Sequence, residues 1–353
     1  MPKPKILLAF SSRVRENYVD NEQLARLESF ADWDWFECEG GGIESASIDD
    51  AASEQLAEKI ADYDGVILCH GSPTISSDIL EKATQLKIVG ELEGDRFAAR
   101  VDLDAAWERG VRTVDTTNAS SYPVAEWALG LILISLRNIG MQFRRMISGQ
   151  QRDLNPNPYR GVLRGKRVGL IGCGNMGRRL LSYLRPFDVE IWVHDPYLPR
   201  EMADALDFLQ TSFENILTQC DVIVCLAPLT PATRGMIGKR EIDMIPPGTA
   251  FVNVSRGPVV DSDALIERLK KNDITAGLEV WDPEPVPGDS EIRNLHNAFV
   301  TPHSSARRAE NEKNEFFEMM VDEFDRFFHG HETKYDLTPA SQANRTGNRP
   351  PSK

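Results

Sequence analysis

Val168-Gly169-Leu170-Ile171-Gly172-Cys173-Gly174-Asn175-Met176-Gly177, near the middle of this 353-residue chain, decides the fold. A short apolar run of strand type leads straight into a Gly-x-Gly-x-x-Gly turn, and a helical stretch over 178–184 follows until Pro186. Alone, such a turn is a weak signal; between a strand and a helix it has a mechanism. Gly172 and Gly174 let the backbone turn tightly and approach a pyrophosphate, Gly177 lets the helix pack on the strand, and the helix N-terminus offers unpaired N–H groups. Asn175 and Met176 lie in the same turn. The next strand pattern, 190–195, ends on Asp195, whose carboxylate can accept from both ribose hydroxyls and would repel a 2′-phosphate. The turn therefore predicts a bound dinucleotide, NAD rather than NADP.

Working outward, similar runs recur in two series. Before residue 117 they fall at 5–10, 34–38, 65–70, 86–91 and 113–115, separated by helix-like stretches such as 53–61 and 102–109; the later ones are 167–172, 190–195, 221–227, 249–255, 275–280 and 298–302. Strands alternating with helices imply βαβ units, and the expected fold is α/β with two doubly wound parallel-sheet domains. Between the series, 122–138 reads as one helix that is apolar nearly all round. Such a helix must be covered on both sides, by its own core and, with equal weight, by more of the same chain or by a second subunit. The stretch 310–329 carries Phe316, Phe317, Met320 and Phe324 at helical spacing and predicts a helix packed back on the first sheet. The composition after His331 has little to bury and predicts a flexible tail, 331–353.

Forty Lys and Arg against 54 Asp and Glu give a formal charge of -14. That charge repels phosphate backbones and anionic lipid, so neither nucleic acid nor membrane is an expected partner, and an anionic substrate would need local arginines. The five cysteines, at 38, 69, 173, 220 and 225, show no C-x-x-C pair. Neither a disulfide framework nor a metal site is expected, and a reducing cytoplasm fits best. The apolar run 6–10 is far too short for a signal-peptide core.

Asn253-Val254-Ser255-Arg256-Gly257-Pro258-Val259-Val260-Asp261 puts an arginine just past a strand's carboxyl end, where doubly wound sheets bind ligands. Its fork of donors suits a carboxylate with an adjacent keto oxygen. Together with the glycine turn, Ala227-Pro228-Leu229-Thr230-Pro231-Ala232-Thr233, Asp282-Pro283-Glu284-Pro285 and Thr301-Pro302-His303, this segment resembles the D-isomer-specific 2-hydroxyacid dehydrogenase family, from about Ile6 to Phe328. The resemblance implies a Rossmann NAD-binding domain, 118–303, inserted in a flavodoxin-like substrate domain built from 1–117 and 304–330. It also implies a catalytic set: His303 as proton carrier, Glu284 as its carboxylate companion, and Arg256 on the substrate. Ala227, Pro228, Val254, Ser255 and Glu279 would lie along the cofactor, and His70 and Gly71, at a first-domain strand end, would meet substrate. Read from its residues alone, His70 is as consistent with a structural role.

The chain departs from the family pattern in two places. Where relatives carry a glycine-rich loop for the substrate carboxylate, residues 90–102 are longer and more charged, with Glu91, Glu93, Asp95, Arg96 and Arg100. Carboxylates there oppose an anion unless they point outward or pair with Arg96 and Arg100, which suggests a hydroxylated sugar acid whose hydroxyls these carboxylates accept from, with Arg96 or Arg100 meeting its acid group. The second departure, Glu279-Val280-Trp281 in place of Asp-Val-Phe, keeps the acid but lengthens it by one methylene. The expected activity is hydride transfer between nicotinamide and C2 of a 2-hydroxy or 2-keto acid by a homodimer. The rival readings are an NAD-sensing corepressor-like protein and a dehydrogenase of the formate or phosphite type.

Overall fold

The computed structural model describes residues 2–41, 46–94, 100–150, 161–306 and 315–346. The chain divides into two compact units, a first built on Met1–Ser120 and Arg308–Arg345 and a second built on Ser121–Arg307.

In the first unit, strands β1 (Lys5–Phe10), β2 (Asp32–Glu37), β3 (Gly65–Leu68), β4 (Ile88–Glu91) and β5 (Arg112–Asp115) form a parallel sheet in the order β2-β1-β3-β4-β5. This is the flavodoxin-like order, with its switch point between β1 and β3. Burial on both faces explains why the central strands read as continuous apolar runs. On one face Ile6, Leu8, Phe10, Ile67 and Ile88 meet Phe316, Phe317, Met320, Val321 and Phe324 of the helix Glu315–Phe328, as the aromatic spacing predicts.

The second unit holds β6 (Arg167–Ile171), β7 (Glu190–His194), β8 (Leu209–Gln210), β9 (Val222–Cys225), β10 (Ala250–Asn253), β11 (Thr275–Leu278) and β12 (Ala298–Val300). They pair in parallel in the order β12-β11-β10-β9-β6-β7-β8, so the switch point falls between β9 and β6. Alternate side chains of β9 face opposite layers. Val222 and Val224 pack with Leu131 and Ile132 of the helix Ser121–Leu136, while Ile223 and Cys225 pack with Ile216, Leu265 and Leu269. Truncating a side chain as enclosed as Ile223 costs about 2–5 kcal/mol.

Several boundaries differ from the sequence reading. The helix after the glycine turn begins at Asn175, with Gly174 as its N-cap, so the third glycine lies inside the first turn rather than before it. The helix expected over 122–138 spans Ser121–Leu136; Asn138 then adopts a left-handed conformation (φ 45°) and a second helix, Ile139–Ile147, follows. Asparagine tolerates that conformation because its short side chain bonds locally, a signal too weak to read without coordinates. The expected flexible tail is ordered over its first part. Asp336 bridges Val114 in antiparallel fashion, Asp115 N–H donates to Tyr335 O, Leu337 N–H donates to Thr113 O, and Leu337 is buried. Composition missed this because β5 is an edge strand whose open backbone groups attract a partner strand whatever its side chains. Residues 347–353 lie outside the described residues.

Candidate active site

Gly172, just past β6, has φ +95°, and a Cβ there would stand 3.0 Å from Ala227 N, so glycine is required for the turn to close against the end of β9. Gly174 faces open space, and the helix it starts has no side-chain cap. A helix N-terminus of this kind attracts an anion. Asp195 ties the end of β7 to the same turn: Cys173 N–H donates to Oδ2 at 2.9 Å and Tyr197 N–H donates to Oδ1 at 3.0 Å. Beyond β9, Ala227 is buried and Pro228 is exposed, its carbonyl accepting from Thr233 Oγ1 at 2.5 Å. These features fit a dinucleotide: a turn only glycine can make, open space for phosphates at a helix N-terminus, and a carboxylate at the end of the neighbouring strand for a ribose.

The second cluster stands at the carboxyl ends of β10, β11 and β12. Arg256 follows β10, half-buried, and Nη1 donates to Ser255 O at 2.8 Å. A Cβ on Gly257 would lie 1.7 Å from Trp281 O, so only glycine lets the Arg256 turn sit against the backbone that carries Glu284. Val254 and Ser255 are buried, and the Ser255 hydroxyl donates to Asn253 Oδ1 at 2.9 Å, which leaves it shaping the turn. Glu284 Oε2 meets His303 Nδ1 at 2.8 Å, and Glu284 Oε1 accepts from Trp281 N–H at 2.8 Å. Burial pushes the Glu284 carboxyl upward, but hydrogen bonds from His303 and Trp281, with the nearby charges of His303 and Arg256, outweigh it and hold it below its ordinary value. A cavity of about 570 Å³ opens beside the pair, with Arg144, Val286, Arg293 and Thr301 among its lining. His303, Glu284 and Arg256 are therefore neighbours.

Glu279, expected along the cofactor, sits among donors of its own unit. It is buried, and both carboxylate oxygens are committed within the unit. Trp127 Nε1–H donates to Oε2 at 2.8 Å, Thr301 Oγ1 donates to the same oxygen, and Ser305 N–H donates to Oε1 at 2.5 Å. Trp281 fills the core at 5% exposure.

In the first unit, His70 follows β3, and its Nε2 lies 3.3 Å from Glu93 Oε2, the oxygen that accepts from Tyr18 OH at 2.6 Å. Gly71 has φ +99° with Cys38 O against it, a backbone requirement in its own right. Arg96 lies outside the described residues. Arg100 does not face a substrate: it is fully buried against Glu91 at 2.7 Å, and Nη1 also donates to Glu93 O at 3.2 Å. Burial pushes the Glu91 carboxyl up to about 7 in spite of Arg100.

Sequence reasoning missed Trp127, Thr301, Ser305, Tyr18 and Glu93 as partners in these clusters. The extra methylene of Glu279 was the one signal that pointed at the first three.

Residues 129–305 match the family model described as "D-isomer specific 2-hydroxyacid dehydrogenase, NAD binding domain". The chain belongs to this family. Within the family, it is 34% identical over 263 residues to D-3-phosphoglycerate dehydrogenase of Methanocaldococcus jannaschii, covering 74% of this chain and 49% of that protein. It is 30% identical over 280 residues to the chloroplastic/mitochondrial formate dehydrogenase of Arabidopsis thaliana, covering 77% of this chain and 71% of that protein. The chain spans about half the length of the phosphoglycerate dehydrogenases it matches. The crystal structure of a phosphoglycerate oxidoreductase from Rhizobium etli shares the fold with a TM-score of 0.78 at 24% identity, covering 95% of this chain and 98% of that one. NAD is the cofactor of the matched domain.

Proposed function

We propose that this chain is an NAD(H)-dependent oxidoreductase that interconverts a 2-hydroxy acid and its 2-keto acid. The observation that carries the reading is the 2.8 Å contact of His303 Nδ1 with Glu284 Oε2 beside Arg256. Bound NAD supplies a hydride acceptor, and in its reduced form a donor, at the nicotinamide C4. Gly172, Gly174, Asn175, Met176 and Gly177 would hold its pyrophosphate, Asp195 its adenosine ribose, and Ala227, Pro228, Val254 and Ser255 its remaining length. Glu284 holds His303 in the tautomer with the proton on Nδ1, leaving Nε2 to take the hydroxyl proton in oxidation and return it in reduction. Arg256 binds the carboxylate and the C2 oxygen and stabilises the charge that develops there.

The proton-carrying pair weighs against a formate-type reaction, since hydride loss from formate releases carbon dioxide and needs no proton acceptor. A corepressor-like role is set apart by experiment: a pull-down whose partners depend on NADH would favour it. The finer substrate we propose is a hydroxylated acid: Glu93, with His70 and Tyr18 beside it, offers acceptors and donors suited to hydroxyl groups in the first unit. Turnover followed by NADH absorbance against 2-keto acids, sugar acids, formate and phosphite tests these readings together. Turnover with formate alone, or with none of the panel, overturns the proposal.

For a partner we propose a second copy of the chain. Tyr122 and Leu133 stay exposed on the helix Ser121–Leu136, and the next helix presents Ile139, Phe143, Met146 and Ile147, the last three 62–69% exposed, at the spacing of one apolar stripe. Five buried free thiols support a reducing, cytoplasmic setting.

A further inference from the structure

His303 is held in a conformation that a non-glycine residue adopts at a cost: its φ is +50°. Its backbone N–H donates to the carbonyl of Glu279 at 3.1 Å. Two residues before it, Thr301 Oγ1 donates to the Glu279 carboxylate, and two residues after it, Ser305 N–H donates to the other oxygen of the same carboxylate. The side chain of Glu279 therefore spans the His303 turn and grips it on both flanks. Its Oε2 carries a further bond, from the indole N–H of Trp127 in the helix Ser121–Leu136. Four donors converge on one buried residue, and three of them come from the turn that carries the proton-exchanging imidazole.

We propose that Glu279 is a positioning residue for His303, tying the His303 turn to the helix Ser121–Leu136 through Trp127. Both carboxylate oxygens accept here, from three converging donors; a carboxamide would turn an NH₂ group toward some of them. A buried donor left facing another donor is costly, and the turn has a ready way to relieve it, since leaving the left-handed conformation also relieves the backbone. The imidazole would then swing off its bond with Glu284. The same helix carries the exposed Tyr122 and Leu133, so Trp127 also links the surface proposed for a second copy to the acid–base pair.

This inference rests on the dehydrogenase reading, and wild-type turnover on the acid panel tests that reading first. Given an active wild type, Glu279→Gln is expected to lower kcat by about 10²-fold, the scale for a misplaced catalytic group, while the NADH Kd, read by fluorescence, stays within about twofold. The solvent isotope effect on kcat should rise, because proton transfer becomes the slow step, and Glu279→Asp should recover part of the loss. Trp127→Phe removes a single donor and is expected to lower kcat by about 3–10-fold, again without weakening NADH; it carries the test should Glu279→Gln fail to fold. Unchanged kcat in the folded variants, or NADH binding weakened by the same factor as kcat/KM, overturns the proposal.

Discussion

His303 Nδ1 and Glu284 Oε2 lie 2.8 Å apart, although β12 and its neighbour β11 deliver them from separate strand ends. The contact matters because it leaves Nε2 as the nitrogen that can exchange a proton with substrate. His303→Asn keeps a residue that tolerates the left-handed backbone but cannot carry that proton. We expect kcat to fall by about 10²–10⁴-fold, with the NADH Kd unchanged by fluorescence titration. Loss of both together would mean misfolding instead.

Glu284 also links this pair to stability. Its carboxyl is held below the ordinary value in the folded chain. A group of that kind stabilises the fold above its unfolded pKa, about 4.3, and loses that contribution as pH falls through the folded value. Wild type should therefore lose more stability than Glu284→Gln between pH 6 and pH 3 in denaturant titrations. Parallel losses in the two proteins would contradict the assignment.

The Glu91–Arg100 pair behaves in the opposite sense. With the Glu91 carboxyl pushed up to about 7, the fold favours its protonated form, so this contribution is full below pH 4 and is lost as pH rises through 7. Arg100→Met leaves Glu91 buried without its cation and should cost about 3–5 kcal/mol at pH 8, with a smaller cost at pH 5. Chemical denaturation at both pH values checks this. Substrate KM should stay near the wild-type value, since Arg100 is fully buried.

Asp195 holds the glycine turn through Cys173 N–H at 2.9 Å, and in the proposed reading it meets the adenosine ribose, where it would repel a 2′-phosphate. Asp195→Ser is expected to raise KM for NAD by about tenfold and to lower KM for NADP, since a carboxylate is removed from the phosphate's place. If NADP remains unused while NAD is unaffected, Asp195 does not contact the ribose.

The apolar stripe on Ile139–Ile147 gives a surface test. Replacing Phe143 and Met146, both more than 60% exposed, with Asp should halve the mass measured by sedimentation. Neither substitution removes core contacts, because no residue of this helix is buried. An unchanged mass would place the subunit contact elsewhere or leave the chain a monomer.

Much of this was legible in the chain itself. The apolar runs marked nearly every strand because parallel strands covered on both faces must be apolar throughout; Leu209–Gln210 escaped because two residues carry no pattern. The glycine turn was legible because Gly172 makes a bend against Ala227 that no other residue can. Less visible was anything that depended on a distant partner: the pairing of residues 335–337 with β5, the burial of Arg100, and the use of Glu279 by Trp127, far away in sequence.

The order and type of the elements, the dinucleotide turn, and the presence of one Arg, one Glu and one His near strand ends followed from the sequence, since periodicity and turn chemistry are local. Which carboxylate remained available for acid–base work did not. Glu91, Glu279 and Glu284 are alike as side chains, yet one is matched to a buried arginine, one is spent on a turn and a tryptophan, and one faces an imidazole. Desolvation and hydrogen bonding act through space, and only the tertiary structure sets what stands within 3 Å of each.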